Sequence, residues 1–514
     1  EFGMYTRKVL GSSLLLILVL IFCSSQAWSA QGLHSPTKRC TGVYVGKNLT
    51  ADGNVLIGQV ADESSSHWLN VVPRRDHASN ETMEVGCNQK ANLPGKRIEI
   101  PQAEETNRYI TVRYSEWEGF PKPLENGGLN EHQVAVVDVF SPSRSELVKM
   151  TPANQTGLSY SDEARVVMQR AETAREGVKI IGEMIEKYGH ATYGGNTHII
   201  ADPEEGWIVE EFAGGKGLWV AKKLGPNECR VIRPGYIGKV PTDYQSNSDY
   251  MGSDNLISFA KEQGWYFSQS EGSFNVSKTY EADRDQTGCW GEGRECKERP
   301  GHQIRSEPVK MGEKYLKDLG SNITIEDVKK LFRIKPIHNR ASKYAQIAQL
   351  KDDKPDSLGV LWVGIGPIQE TIFLPYYAGI SEVPLEYRQH RYLTKNEGKV
   401  FMLPESKQGQ ETTDYAFRAY DRLFMLVEQH KEEFRPEVKK FIQSYEQELI
   451  NKQSSVENIA CSLLKSGQEK LASEYLTRYS KSMALDALES VQTLNDSLEL
   501  RTKVQHQIDS LPIY

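Results

Sequence analysis

The 514-residue chain has little cysteine, seven residues in all. That is too few for a disulfide-stapled scaffold, so a hydrophobic core has to hold the fold. It also lacks a positive excess: 62 Lys and Arg against 69 Asp and Glu leave a formal charge of −7. This excludes broad electrostatic capture of nucleic acid. The chain contains no Gly-x-Ser-x-Gly elbow, no His-Glu-x-x-His and no Gly-x-x-x-x-Gly-Lys-Ser/Thr loop. It has no paired Cys-x-x-Cys, and its eleven histidines show no tight ligand spacing. A zinc site is therefore not expected. Gly364-Ile365-Gly366 is a fragment of a dinucleotide fingerprint and reads as a turn between strands. What remains is a composition of ordinary globular kind, 38% hydrophobic and 25% charged, which excludes wholesale disorder. The length allows about three domains, or one large enzyme-like body with an appendage.

Glu1, Phe2 and Gly3 precede Met4 and are set aside. Arg7 and Lys8 then lead into an apolar run over 10–23, and Ser25-Gln26-Ala27 fits a small-x-small cleavage site. Residues 1–30 read as a signal peptide. The run is short for the alternative, a membrane anchor. Residues 31–39 follow as a short propeptide ending in Lys38-Arg39. The expected location is secreted or extracytoplasmic (periplasm, or a lysosome-like compartment in a eukaryote), with no membrane span once the signal is gone. Export permits disulfides among Cys40, Cys87, Cys229, Cys289, Cys296 and Cys461. Cys289 and Cys296 are close enough in sequence to close a small loop.

Beyond residue 39 the pattern alternates. Residues 40–60 read as a β-hairpin around the turn Ala51-Asp52-Gly53-Asn54. Further strands are expected over 134–140, 198–201, 207–212, 218–222 and 358–363, the last with a hairpin partner over 370–375. One amphipathic helix is expected over 161–188, stopped by Gly189. From about 410 the spacing turns helical, with Phe417, Tyr420, Phe424 and Val427 on one face and Val438, Ile442, Tyr445 and Leu449 on another. This order suggests α+β with antiparallel sheet.

Cys40 stands out by position, at the start of a strand just beyond the signal peptide and its linker. Two readings are open: a disulfide cysteine, or an N-terminal nucleophile exposed by cutting the Arg39–Cys40 bond. An α-amine has a pKa near 7.7–8.0, so a free amine on Cys40 can take the proton of its own thiol. One residue then supplies nucleophile and base, with no distant histidine.

Residues 40–62, Cys-Thr-Gly-Val-Tyr-Val-Gly-Lys-Asn-Leu-Thr-Ala-Asp-Gly-Asn-Val-Leu-Ile-Gly-Gln-Val-Ala-Asp, resemble the mature N-terminus of the PepD-type dipeptidases. These are N-terminal nucleophile cysteine hydrolases related to penicillin V acylases and bile-salt (choloylglycine) hydrolases. Gly128-Leu129-Asn130-Glu131, the stretch 201–210 with Trp219-Val220-Ala221, Leu361-Trp362-Val363, residues 375–380 and Leu476-Thr477 are similar to later segments of that family, so the resemblance covers most of the chain from Cys40 onward. It implies an N-terminal nucleophile hydrolase fold, a four-layer αββα sandwich, over 40–409. Residues 410–514 would then be a helical C-terminal extension packed on it.

The resemblance also implies roles. Cys40 is nucleophile and, through its α-amine, base, and Asp62 keeps the nucleophile oriented. Gln59 stands where related enzymes often carry Arg, which alters the polarity offered to substrate. Asn130 is either a site residue or a turn cap. Arg233 either replaces the oxyanion-hole Asn of related hydrolases or is a surface arginine. The implied activity is cofactor-free hydrolysis of dipeptides or short peptides through a thioester, with a small peptide as partner and a homo-oligomer left open. The alternatives are an N-acyl amide hydrolase of penicillin V, bile-salt or N-acyl amino acid type, and an inactive secreted binding protein with Cys40 in a disulfide.

Overall fold

Apolar residues on either side of a connection over 46–54, with a 3-10 turn at Lys47–Leu49, fold the first segment back on itself. In the computed structural model, β1 (Thr41–Val45) and β2 (Val55–Asp62) pair antiparallel, from Thr41 opposite Val60 to Val45 opposite Leu56. Gly53 takes a φ of 73° in the turn, which favours a residue without Cβ. The structure describes residues 40–509 apart from 64, 115–118, 122, 269, 283–300 and 389–414. The expected signal peptide and propeptide, Cys289 and Cys296 lie outside the described residues.

The hairpin forms the middle of the first of two large antiparallel sheets. This sheet runs in the order β10 (Cys229–Ile232), β1, β2, β12 (Ser342–Leu350), β13 (Val360–Ile365) and β14 (Leu374–Tyr377). The second runs β11 (Tyr250–Gly252), β9 (Trp219–Leu224), β8 (Gly206–Glu211), β7 (Asn196–Ala201), β6 (Ala135–Phe140), β5 (Glu125–Asn130), β4 (Tyr109–Tyr114) and β3 (His67–Val72). Most of these strands are buried along their whole length, because both faces of each sheet are covered. The sheets face each other through Val43, Val45, Val137, Val139 and Ile199. They approach so closely at Gly42 that a Cβ there would lie 2.4 Å from Ile199. The outer face of the second sheet carries α1 (Tyr160–Arg170) and α2 (Ala174–Tyr188), whose Val167, Met168, Val178 and Ile181 pack on Val136, Ile200 and Trp207.

The first sheet's outer face is covered by α3 (Gly301–Asp318), α4 (Ile325–Phe332), α5 (Ala416–Gln429), α6 (Lys431–Lys465) and α7 (Glu469–Asp509). Phe417, Leu423, Ile442, Leu449 and Leu488 from the last three share one core with the sheet residues. The layers are therefore αββα, with a C-terminal helical region on the first sheet. Among the described residues no helix is long and apolar enough to cross a membrane.

Two expectations shift. The single helix over 161–188 is two helices: Ala171 is extended, Ser159 caps α1 with a reciprocal Ser159–Asp162 capping box, and Thr173 caps α2 through the N–H of Glu176. The apolar period runs on across this break, so the periodicity alone does not reveal it. The hairpin partner of β13 begins at Leu374 rather than 370, because Glu370 turns away to an arginine of the C-terminal helices, Arg435.

Candidate active site

Cys40 lies one residue before β1. Continuing the β1–β2 register by one step sets it beside the end of β2, where Asp62 pairs with Ser342 of β12. The Asp62 backbone N–H is hydrogen-bonded to the Cys40 thiol. The Asp62 carboxylate accepts from the Ser342 hydroxyl and from the Asn339 side-chain amide. Both carboxylate oxygens are thus fixed by neutral donors, and a bulge between Ser342 and Tyr344 breaks the β2–β12 register at this point.

The next residue, Glu63, turns into the same space. Its Oε2 accepts from Asn126 Nδ2 at 2.8 Å and lies 3.0 Å from His67 Nε2. The His67 ring stacks on Tyr344 with centroids 4.5 Å apart. The second sheet contributes Asp138. β5 pairs with β6 at Ala135 and Val136. Beyond this pairing the Asp138 N–H donates to Gln59 Oε1 at 3.3 Å, while Gln59 Nε2 donates to Asp138 Oδ1 at 3.4 Å. Gln346, opposite Gln59 on β12, donates to the Asn126 carbonyl. Two buried carbonyl oxygens in this group, Asn126 Oδ1 and Gln346 Oε1, have no hydrogen-bond partner. Tyr160, Tyr193 and Tyr344 close the space, near enough that the thiol's charge acts on each hydroxyl.

Burial pushes the Cys40 thiol well above its ordinary pKa. The carboxylates of Glu63, Asp62 and Asp138 push it further, and the Asp62 N–H pulls the other way. Burial likewise raises Asp138 to about 7, against the pull of His198 and Gln59 and with the help of Glu63. The Cys40 thiol is thus held in its protonated form. Among the described residues no imidazole or lysine amine is hydrogen-bonded to the thiol.

The structure brings Cys40, Asp62 and Gln59 together. Arg233 belongs to the same end of the first sheet, one residue past β10. It is buried, not a surface arginine, and its Nη1 donates to the Pro336 carbonyl at 3.0 Å, next to the Ile337 carbonyl that accepts from Thr41. Asn130 is placed elsewhere. It ends β5, four residues beyond Asn126, and its Oδ1 accepts from the N–H groups of His132 and Val134 while its Nδ2 donates to Met168 and Ala171. Its side chain is wholly spent on the turn and the end of α1, and the asparagine of this strand that reaches Glu63 is Asn126. Glu131 is also spent, on Arg74 and the Arg108 N–H.

Cys40, Cys87, Cys229 and Cys461 are free thiols. Cys229 pairs with Val45 at the far end of β1, roughly 17 Å from Cys40 at about 3.4 Å per residue, too far for a bridge. The sequence reading missed Glu63, Asn126, Asp138, Ser342 and Asn339. Only Asp138 carries a signal, an acid inside the apolar strand Ala-Val-Val-Asp-Val-Phe.

Comparison with known proteins gives a consistent set of matches. The family model described as peptidase family C69 matches residues 39–333. A probable dipeptidase B from Streptococcus pyogenes serotype M3 is 26% identical over 406 residues, covering 70% of this chain and 76% of its own. A probable dipeptidase from Latilactobacillus sakei is 24% identical over 427 residues, covering 77% and 82%. Among solved structures, a conjugated bile acid hydrolase from Clostridium perfringens matches with 11% identity and a TM-score of 0.28, over 63% of this chain and 89% of that one.

Proposed function

The chain belongs to peptidase family C69, and is therefore a peptide-bond hydrolase; from that premise we propose that it is a secreted cysteine dipeptidase whose nucleophile is Cys40, made N-terminal by removal of residues 1–39. The reading is supported by where the family match begins, one residue before Cys40. It is also supported by the free, buried thiol beside a carboxylate held by two donors.

In this mechanism the α-amine of Cys40 takes the thiol proton and the thiolate attacks the peptide carbonyl. The tetrahedral oxyanion collapses to a thioester as the α-ammonium protonates the departing amine. Water, deprotonated by the same amine, then releases the acyl half. Asp62 orients the nucleophile and favours the ammonium form that follows thiol deprotonation. Gln59 positions Asp138, and Arg233 supplies positive charge at this end of the sheet for the oxyanion.

The observation that carries the dipeptide reading over an acyl-amide one is the polarity of the wall around Cys40. Asp62, Glu63 and Asp138 gather there with the unpartnered oxygens of Asn126 and Gln346. Such a wall suits a free α-ammonium, whereas an acyl chain requires an apolar slot. The names of the matched dipeptidases agree with this. The test is a panel of dipeptides and N-acyl amino acids on the processed protein. Hydrolysis of dipeptides, with blocked N-acyl substrates at least tenfold slower, is expected; the reverse preference overturns the substrate assignment.

A further inference from the structure

A second cluster of titratable groups lies between α1 and the second sheet, apart from the thiol. Glu163 of α1, His198 of β7 and Glu211 of β8 are all fully buried there. One donor atom from each lies within 4.8 Å of the other two. The residues stand 35 and 13 positions apart in the chain, so no ligand spacing in the sequence announces them.

The hydrogen bonds fix what these atoms offer. His198 Nε2 lies 3.0 Å from the Tyr160 carbonyl oxygen. A carbonyl only accepts, so Nε2 carries the proton. In the neutral ring, Nδ1 is then a lone pair, and it faces Glu211 Oε1 at 2.8 Å and Glu163 Oε2 at 3.9 Å. The Asn196 amide nitrogen, 3.4 Å from Nδ1, fits the same orientation. Glu163 Oε1 accepts from His190 Nδ1 at 2.8 Å. Glu163 Oε2 and Glu211 Oε2 have no hydrogen-bond partner. A lone pair and two carboxylates turned toward one another in a fully buried space require a positive species between them, either a proton or a metal ion.

We propose that Glu163, His198 Nδ1 and Glu211 bind one divalent metal ion of the zinc or manganese class. One imidazole nitrogen and two carboxylates form a donor set suited to those ions, whereas calcium takes six to eight oxygens. The surroundings supply the expected outer support. Tyr160 holds the His198 ring through its far N–H, and His190 holds the Glu163 carboxylate through its other oxygen. The ion clamps α1 to β7 and β8. Tyr160 reaches from this clamp to the thiol's surroundings, and Tyr193 joins it through Asn196 Oδ1 at 3.0 Å. The ion thus sits behind the wall of the Cys40 site and positions it, without touching the reacting atoms.

The test is the metal content of the full-length protein, purified without chelator after growth in medium supplemented with zinc or with manganese. Elemental analysis would be followed by thermal unfolding before and after chelation with dipicolinate and after return of each ion. About one equivalent per chain, a Tm that falls on chelation and recovers on return of the ion, and retention of the ion in Cys40→Ala are expected. Glu211→Gln, with Glu163→Gln as the second variant should the first not fold, is expected to bind at least tenfold more weakly. Wild-type protein that holds no stoichiometric zinc or manganese from either medium, with a Tm indifferent to both ions, overturns the proposal and assigns a proton to the gap between His198 and Glu211. That result would leave the assignment of Cys40 untouched.

Discussion

The Arg333 guanidinium grips the Glu446 carboxylate with both prongs, Nη1 to Oε2 at 2.9 Å and Nη2 to Oε1 at 2.7 Å. Arg333 directly follows α4 on the catalytic body, and Glu446 lies within α6. Burial pushes the Glu446 carboxyl up, but Arg333 and Lys329 outweigh it and hold the group below its ordinary value. Glu446 Oε1 also accepts from the Phe373 N–H at 2.7 Å. Two more buried pairs cross the same boundary: Lys343 with Asp421 at 2.5 Å, and Lys351 with Glu457. Apolar burial attaches the C-terminal helices to the first sheet, and these pairs fix where they dock, since a misplaced helix would strand a buried charge.

Glu446→Ala leaves Arg333 without its counter-charge, held by the Ile368 and Thr371 carbonyls, and leaves the Phe373 N–H unpaired. Truncating one partner of such a pair costs about 3–5 kcal/mol. Equilibrium unfolding in urea is expected to show a loss of that size. A loss below about 1 kcal/mol would mean that the pair contributes nothing to docking.

Cys40→Ala removes the nucleophilic thiol and leaves the α-amine with no thiol proton to take. Dipeptide hydrolysis is expected to fall below about 0.1% of wild type. If cleavage at Arg39–Cys40 is the chain's own work, the variant also keeps residues 31–39, and Cys40→Ser is processed slowly. N-terminal sequencing and intact mass of the secreted protein check this. Full hydrolysis by Cys40→Ala, or a wild-type chain that starts near residue 28 and has Cys40 oxidised, would overturn the mechanism.

How much of this was legible in the sequence depends on distance along the chain. The β1–β2 hairpin is local, so its turn and alternation gave it away, and with it the neighbourhood of Cys40, Gln59 and Asp62. The other site residues arrive by long-range pairing. Asn339 and Ser342 meet Asp62 across 277 and 280 positions, and nothing local marks them. For Asn130 the residue type allowed both a site role and a turn cap, and the structure shows the cap. That the turn consumes Asn130 while Asn126 is left to Glu63 is a property of the folded backbone. The break between α1 and α2 escaped for a related reason: both helices bury the same kind of apolar face, and only the extended Ala171 and the Thr173 cap separate them.

Asp62→Asn tests positioning apart from folding. The carboxylate is faced by two donors, the Ser342 hydroxyl and the Asn339 amide. An asparagine keeps one acceptor oxygen and turns an NH2 group toward the other donor. The cost in stability is about 1–3 kcal/mol, that of one buried donor left unmatched. If Asp62 orients the nucleophile, kcat falls by about two orders of magnitude with KM within about threefold of wild type. A rise in KM at constant kcat would instead make Asp62 a substrate-binding group.

Lys329 gives a pH-dependent prediction. It lies on α4, fully buried, with Nζ 3.5 Å from the Trp362 ring centre and no hydrogen-bond partner. Burial lowers its pKa to about 8, with Glu446 pulling it up and Arg333 pushing it down. Between about pH 8 and the ordinary value of 10.5 the unfolded chain holds a proton that the folded chain has released. Stability contributed by this residue therefore rises with pH across that window. Below pH 8 both states are charged and the whole cost of burying the ammonium is present, on the order of 3 kcal/mol at about 1.36 kcal/mol per pH unit. Lys329→Met removes that cost together with a cation–π contact worth about 1–2 kcal/mol. The variant is therefore expected to be the more stable protein at pH 7, by about 1–3 kcal/mol, and to lose that advantage steadily as pH rises toward 10.5. Tyrosines and other lysines titrate in the same range, so the quantity to measure is the difference between the two proteins in parallel urea unfolding at each pH. A difference that stays flat from pH 7 to 10 would show that the Lys329 ammonium is not shed in the folded chain.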